Sequence, residues 1–461
     1  MIEKKGVRQI SCGVAWLIYL TVSLLFDLFL AIFYNSLSIF ICGIIGCTIV
    51  FLLSKKLDQE SILLLMLYKV IGVCFILLAY YGNIDVYGTP YYIGGSDDLV
   101  FEERALRMIS KGYMWPWQDN LVVNTKGFNW IISLIMRMSV AIGGTYHTMA
   151  YRILNIYLLS TIGTILFNIY YTRIEPDEQK ARLAMSVVCL FPNAMYLSSL
   201  IFRDTLCTLL IIVFFAFADD FFKSKDEGSI LTSSKTIAAF MMISLAFWGF
   251  WIRNEMLYIM ILIFGTSILK SNHIKGKTFL IYVVILLLSM IILYQIGAID
   301  KLIQKTESAM NYHYVSDGSD SISRIVFNTP ILPFGIIVRI LYGLVFPLPV
   351  GILGLFSIFD NGLSTISFLV AVGMCVQITH LPLLIKNAIS RLDKYSIIFI
   401  TIFLTIVVSS YTFRHFIMAY PFMSLLIIRE YYAETKREKQ INFLLSCFVL
   451  CLATFVYVII K

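Results

Sequence analysis

Two adjacent carboxylates are the first candidates for chemistry in this chain. Asp97 and Asp98 follow Gly94-Gly95-Ser96 and open a segment with an apolar stripe at helical spacing, formed by Phe101, Ala105, Met108 and Gly112. The stripe predicts a short amphipathic helix on the membrane surface, with both Asp side chains in its N-cap region. Capping explains one Asp, and it explains a second adjacent Asp less well. The alternative role is general-base catalysis, in which a carboxylate takes the proton of an attacking hydroxyl group.

Three short turns between apolar segments carry arginine. They are Phe202-Arg203-Asp204, Arg253-Asn254-Glu255 and Phe413-Arg414-His415. Ionisable side chains near bilayer depth are costly, and they usually face a cavity or pair with one another. Because guanidinium is a planar fork of donors, the turns predict a site for an anionic headgroup. Local pairing or snorkelling at the interface is the alternative, and Asp204 and Glu255 would either orient the arginines or only neutralise them.

These residues lie in a strongly apolar chain of 461 residues. Hydrophobic residues make up 59% of it and charged residues 14%, whereas a soluble domain carries roughly 25% charged residues. The mean hydropathy is +0.85. These values exclude a soluble globular enzyme, a disordered protein and a nucleic-acid-binding module. They predict an all-α polytopic membrane protein, and no cleavable signal peptide is expected because the first apolar run is too long.

The apolar runs predict about thirteen transmembrane helices. They lie near 11–34, 35–54, 61–84, 149–171, 183–200, 205–222, 236–252, 255–269, 278–299, 364–386, 395–411, 416–432 and 441–460. Two further apolar stretches, 128–143 and 331–358, are short or interrupted by proline, so we expect interfacial or re-entrant helices there.

Basic residues in the short loops predict the orientation. If 128–143 is interfacial, every basic cluster falls on one side, which is then cytoplasmic and includes the N-terminus. Two long loops, 85–127 and 300–335, lie on the outer side. Five segments follow from this division: spans 1–84, the first loop with its interfacial helices 85–148, spans 149–299, the second loop with a re-entrant segment 300–363, and spans 364–461.

The motif Asp97-Asp98-x-x-Phe101-x-x-x-Ala105 resembles the acidic motif in the first outer loop of the GT-C superfamily of membrane glycosyltransferases. That family includes the protein O-mannosyltransferases and the enzyme that adds aminoarabinose to lipid A. Phe191-Pro192-Asn193 and Arg203-Asp204 are similar to the family's proline-containing span and to the acidic residue that opens its next helix. Arg253 and Arg414-His415 resemble basic positions that contact the donor's phosphate.

The resemblance implies a GT-C-like fold and an inverting transfer on the outer face of the membrane. The donor would be a sugar or oligosaccharide on a polyprenyl phosphate or pyrophosphate, and the acceptor a saccharide, lipid or protein. Asp97 would be the general base, supported by Asp98, while Arg203, Arg253 and Arg414 would neutralise the leaving phosphate. No cofactor is implied, no metal-ligand spacing is found, and a divalent cation at the acidic pair is left open.

Two other functions stay open. A repeat-unit polymerase of capsule or O-antigen assembly is also a multi-span protein with outer arginines and a large late outer loop. A lipid-linked oligosaccharide flippase would carry charges inside its spans, where Asp27 and Lys69 are the clearest here. The second loop, with His313, Asp317, Asp320 and Arg324, would close over the acceptor or be a solvated loop. The lack of an Asn-x-Ser/Thr sequon favours a bacterial inner membrane.

Overall fold

The computed structural model describes residues 11–54, 56–95, 97–120, 125–223, 228–269, 326, 335–345, 349, 357–410 and 413–460. These residues form helices, and no strand occurs among them, which confirms the all-α class. The chain divides into two compact units, Met1–Leu209 (unit 1) and Leu210–Lys461 (unit 2).

Unit 1 is built from long apolar helices and a pair of shorter amphipathic ones. The helices are α1 (Cys12–Phe33), α2 (Leu37–Leu53), α3 (Gln59–Tyr87), α4 (Asp97–Ser110), α5 (Lys126–Ala141), α6 (Met149–Ile169), α7 (Glu178–Cys189), α8 (Pro192–Ser198) and α9 (Asp204–Phe222), which crosses the boundary into unit 2. The predicted amphipathic helix after the acidic pair is therefore present as α4. The interfacial stretch 128–143 corresponds to α5.

Local sequence signals set several helix ends. The Ser11 side chain accepts the Val14 N–H at the start of α1, and Asp177 accepts the N–H groups of Gln179 and Lys180 at the start of α7. Such caps satisfy backbone donors that have no partner inside the helix. α3 ends at Gly88, whose φ of +75° is a left-handed conformation that glycine adopts without strain.

Helix α6 forms the centre of unit 1, because every residue from Met149 to Ile169 is buried. α2 packs closely against it through glycine. A Cβ added at Gly46 would come within 2.3 Å of the Tyr157 ring on α6, and one at Gly43 would come within 2.3 Å of the Asp27 carboxylate on α1. Small residues thus let α1, α2 and α6 approach closely enough to bury polar side chains between them.

Asp27 and Lys69, the two clearest charges inside the predicted spans, are among these buried polar side chains. Lys69 Nζ of α3 lies 2.8 Å from Asp27 Oδ2 and 2.6 Å from the carbonyl oxygen of Ser23. Tyr157 donates its hydroxyl hydrogen to the same Asp27 oxygen over 2.5 Å. Since both charges are buried, the pair joins α1, α3 and α6 inside the apolar bundle.

Hydrogen bonds define two ends of unit 1. At one end, the Ser36 hydroxyl donates to the Thr145 carbonyl over 2.6 Å, and the first long loop begins there, after α3. At the other end, Arg182 pairs with Asp58 and Glu60, and Lys56 donates to Thr172 over 3.2 Å. The basic segments of unit 1 that the structure describes, at Lys56 and at 173–182, therefore share one end. That this end is cytoplasmic stays a prediction.

Unit 2 continues from α9 with further apolar helices. They are α10 (Lys235–Ile252), α11 (Glu255–Leu269), α12 (Ile336–Val345), α13 (Gly362–Arg391), α14 (Lys394–Ser410), α15 (Tyr420–Ala433) and α16 (Lys436–Ile460). A short 3₁₀ turn (Phe413–Met418) precedes α15. Basic side chains are paired here as well: Lys386 lies 2.9 Å from Glu434, and Arg429 pairs with Asp393.

Six described helices are long and apolar enough to cross a membrane, or seven if α7 and α8, bent by 54°, form one span. Exposed apolar side chains such as Leu25 on α1 and Ile243 on α10 give these helices surfaces suited to lipid tails. A helical multi-pass membrane protein agrees with these features. The thirteen predicted spans are not confirmed by the described residues, where some apolar segments form shorter helices, such as α2 with 17 residues.

Several predicted segments lie outside the described residues. They are the span 278–299, nearly all of the second loop 300–335 with His313, Asp317, Asp320 and Arg324, and most of the stretch 331–358 apart from α12.

We expect Asp27→Asn and Lys69→Met each to destabilise the protein more than the double variant does. Either single change leaves one buried charge without its counter-charge, which costs roughly 3–5 kcal/mol. The double variant removes both charges together. Thermal unfolding of the purified protein in detergent compares the three variants, and strictly additive losses would contradict the pairing.

Candidate active site

The acidic pair splits into an inward and an outward carboxylate at the start of α4. Asp98 is fully buried, whereas Asp97, the first residue of α4, is half-buried. The Asp98 carboxylate accepts the N–H of Tyr92 over 2.8 Å and that of Leu99 over 3.1 Å. Asp98 is therefore fixed by the protein itself, and Asp97 is the more accessible of the two.

The turn that leads into α4 has a left-handed backbone. Ile93, Gly94 and Gly95 have φ values of 49°, 77° and 136°. Glycine adopts such angles readily, but a β-branched residue does so at a cost on the order of 1–3 kcal/mol. The Ile93 N–H donates to the Asn83 side chain over 3.3 Å, which helps to hold this conformation. Strain of this kind persists where surrounding contacts over-determine the backbone, and it is concentrated at functional sites.

Arg152 is the counter-charge of Asp98. It lies in the first turn of α6, is fully buried, and places Nη2 3.8 Å from Asp98 Oδ2. The same guanidinium donates to the carbonyl of Pro90 over 2.6 Å and to that of Ser199 over 3.1 Å. It thus binds α4, the loop before α4 and the turn between α8 and α9.

That last turn carries Arg203 and Asp204, which are both buried. The Asn155 side chain of α6 donates to the carbonyls of Leu200 and Phe202, over 2.8 and 3.2 Å. The Phe202 ring meets the Tyr92 ring edge-on at 5.3 Å between centroids. The acidic loop and the first arginine turn therefore lie at the same end of unit 1.

A second buried carboxylate lies on the same face of α4. Glu102, four residues after Asp98, accepts hydrogen bonds from the hydroxyls of Tyr91 and Tyr146. Burial raises the pKa of Glu102, although the two tyrosine hydrogen bonds oppose this effect. Burial likewise raises the pKa of Asp98, against the Tyr92 N–H and the charge of Arg152. Both raised pKa values favour the folded state at low pH, and this contribution is lost as the pH rises.

In unit 2, the structure brings together two of the predicted turns. Arg253 Nη2 lies 3.1 Å from His415 Nε2, and Arg253 Nε lies 3.3 Å from Glu255 Oε2. All three side chains are buried, and Arg414, which precedes His415 in the sequence, is half-buried. Because guanidinium has no acceptor, Arg253 is the donor and His415 Nε2 the acceptor of this hydrogen bond. The turn at Arg253 thus presents an arginine oriented by a carboxylate and an imidazole.

The eight predicted site residues therefore form two groups, one in each unit. Sequence reasoning missed Arg152, Asn155, Glu102 and the two tyrosines. A signal for the first two was present, since an Arg and an Asn at i and i+3 in an apolar run mark one polar helix face. Among the described residues, no group of three or more His, Cys, Asp or Glu side chains could hold a metal ion.

The loop end of unit 1 also contains a histidine whose protonation the fold opposes. His147 Nδ1 accepts the Met149 N–H over 3.1 Å, and the ring packs against Tyr34 with 4.9 Å between centroids. Burial lowers the pKa of His147, and the charge of Arg152 lowers it further. The unfolded chain therefore takes up a proton near pH ~6.5 that the folded protein resists.

We expect the wild-type protein to lose stability through His147 as the pH falls from about 7 to 5, by at most ~1.4 kcal/mol per pH unit. His147→Gln keeps an acceptor for the Met149 N–H but cannot titrate. Thermal melts of both proteins across this pH range test the effect. Because Asp98 and Glu102 act in the opposite direction in both proteins, the difference between the two curves isolates His147. Parallel curves would contradict the assignment.

Comparison with known proteins gives no match, so any functional argument rests on the site residues described above. No protein-family model matches the chain, and neither a curated protein nor a solved structure matches it. The GT-C resemblance accordingly stands on the acidic pair with Phe101 and Ala105, and on the arginine turns. The structural support for a site is local: in unit 1, the acidic pair and the Arg203 turn lie at one end.

Proposed function

We propose that this protein is an integral membrane glycosyltransferase. It moves a sugar or oligosaccharide from a polyprenyl-phosphate or polyprenyl-pyrophosphate carrier to an acceptor on the outer face of the plasma membrane. The observation that carries the proposal is the difference in burial between the adjacent carboxylates Asp97 and Asp98. Asp98 is buried, and its Oδ2 lies 3.8 Å from Arg152 Nη2. Asp97, at the start of α4, is half-buried.

A general base must be reachable by its substrate and held in a fixed position. Asp97 meets the first requirement because it is only half-buried. It meets the second through its neighbour Asp98, whose carboxylate is bound by two backbone N–H groups and Arg152. In the proposed reaction, Asp97 takes the proton from the acceptor hydroxyl as that oxygen attacks the anomeric carbon. The bond from this carbon to the carrier phosphate breaks, and displacement in one step inverts the anomeric configuration.

Negative charge develops on the phosphate as it leaves, so the reaction also needs a positive charge beside it. Arginine supplies that charge. Arg203 lies at the same end of unit 1 as the acidic loop, because Asn155 and Phe202 tie its turn to α6 and to Tyr92. In unit 2, Arg253 is oriented by Glu255 and His415. We assign each group by itself as a candidate phosphate contact: Arg203 with Asp204 in unit 1, and Arg253 with Glu255, Arg414 and His415 in unit 2.

A repeat-unit polymerase uses the same bond-forming step with a larger donor, so the site does not separate it from a single-sugar transferase. A flippase requires charges that line a path across the bilayer. The two clearest charges inside spans, Asp27 and Lys69, are buried and bonded to each other and to Tyr157. Their use in packing supports enzymatic chemistry at one end of the bundle over transport through it.

We expect Asp97→Asn to fold normally and to lose activity. Asn caps a helix about as well as Asp, but it lacks the basic oxygen that takes the proton. Product formation from a lipid-linked donor by purified protein should fall roughly 10²–10⁴-fold.

Glu103→Gln is the matched control for this variant, because Glu103 is an exposed carboxylate on the same helix. This control should keep its activity, and a thermal melt checks the folding of both proteins. Near-normal turnover by folded Asp97→Asn would remove Asp97 as the base.

We expect Arg253→Ala to weaken binding of the lipid-linked donor about 10–100-fold, since a hydrogen bond to a charged group contributes roughly 1.5–3 kcal/mol. Arg253→Lys should recover only part of this affinity because lysine lacks the planar fork. Arg203→Ala and Arg414→Ala should act in the same direction. A binding titration with the donor in detergent measures all four variants.

The control for the arginine variants is Arg182→Ala, which removes a paired arginine at the other end of unit 1. Donor affinity should be unchanged in this variant. Wild-type donor affinity in the folded Arg203, Arg253 and Arg414 variants would refute the phosphate assignment.

A further inference from the structure

Three segments of unit 1 converge on one guanidinium. Arg152 lies 3.8 Å from Asp98 of α4, and it donates to the carbonyl of Pro90 over 2.6 Å and to that of Ser199 over 3.1 Å. Pro90 belongs to the loop before the acidic pair, and Ser199 lies four residues before Arg203. The two halves of the unit 1 site, the acidic loop and the arginine turn, are therefore bonded to the same side chain.

We propose that Arg152 is a positioning residue that holds Asp97 and the Arg203 turn in a fixed relation to each other. The inference rests on the proposed glycosyl transfer for its catalytic consequence, but its structural part stands independently. Arg152 is fully buried, so we assign it no contact with substrate. It acts through Asp98, the residue next to the base in the first turn of α4, and through the backbone on both sides.

The chemistry of the side chain explains why arginine is required. A guanidinium has donors in one plane that reach partners in different directions, whereas an ammonium group is a single point charge. Lysine at this position would neutralise Asp98 and reach at most one of the two carbonyls. The Arg203 turn also has a second attachment, because Asn155 binds the carbonyls of Leu200 and Phe202 but neither Asp98 nor Pro90.

Arg152 and Asn155 of α6 thus bind different sets of segments, and this difference defines the experiment. Arg152→Gln should loosen both the loop 88–95 and the turn 199–203, while Asn155→Ala should loosen only the turn. Hydrogen exchange of the purified protein in detergent, followed by mass spectrometry, reads each segment separately. Exchange should speed up at least ~10-fold in both segments for Arg152→Gln, and in 199–203 alone for Asn155→Ala.

Arg152→Gln alone leaves the buried Asp98 without its counter-charge, so the protein can fail to fold. The double variant Asp98→Asn with Arg152→Gln removes both charges and is the folding-competent test. It should show faster exchange in both segments than Asp98→Asn alone, which alters the acceptor of the Tyr92 N–H but keeps Arg152, because the two backbone carbonyls have lost their shared donor. Arg152→Lys should protect one of the two segments better than the other.

Activity provides the second readout. In Asn155→Ala, the donor's KM should rise while kcat at saturating donor is kept. In the Asp98→Asn, Arg152→Gln double variant, KM should rise and kcat should also fall at least ~10-fold, because the base has lost its fixed position. A structural role alone would lower the melting temperature without this split between KM and kcat.

The outcomes separate the inference from the function on which it rests. If the wild-type protein shows no glycosyl transfer, the proposed function fails, and the exchange data still decide whether Arg152 joins the two segments. If exchange in the double variant is unchanged in either segment, the positioning role is wrong whatever the activity. If both segments loosen but kcat is kept, Arg152 joins the segments without positioning the base.

Discussion

The structure of unit 1 depends on a polar helix in an apolar interior. α6 is buried along its whole length, yet it carries Arg152, Asn155, Tyr157 and Asn168. A buried polar group without a partner costs free energy, and in a bilayer no water supplies that partner. Each of these side chains therefore binds another segment. Asn168, for example, donates to the carbonyl of Leu53 over 3.4 Å at the basic end, while Arg152 and Asn155 bind the loop end.

Hydropathy predicts the helices because it reads a property of each segment alone. The bounds of α1, α3 and α6 follow the apolar runs closely. Which run becomes the centre depends on packing between distant segments, and a single sequence does not display it. Gly43 and Gly46 illustrate this limit: they look like ordinary residues of an apolar run, yet a Cβ at either would collide with a buried side chain of another helix.

The candidate site likewise combines features that the local sequence predicts with features that depend on contacts between distant segments. Sequence spacing predicts α4 and places the acidic pair at its start, since both are local properties. It does not predict which Asp faces inward, because that depends on the register of α4 against Arg152, more than fifty residues away along the chain. The arginine of the turn at 253 was found from its position between apolar runs, but its contact with His415 required the fold. Hydropathy alone also does not separate full spans from shorter apolar helices such as α2, so the span count stays a prediction.

The distribution of charge in unit 1 bears on the choice between catalysis and transport. Asp27 and Lys69, the clearest charges within the spans of unit 1, are buried and pair with each other. At the loop end, two buried carboxylates, Asp98 and Glu102, share one arginine, and the adjoining turn at Ile93 is strained. Keeping a strained, charged loop rigid lowers stability, and such arrangements persist where function needs a group held in place. An acidic loop held in place at one end of unit 1 agrees with the proposed reaction, because that reaction needs a base in a fixed position.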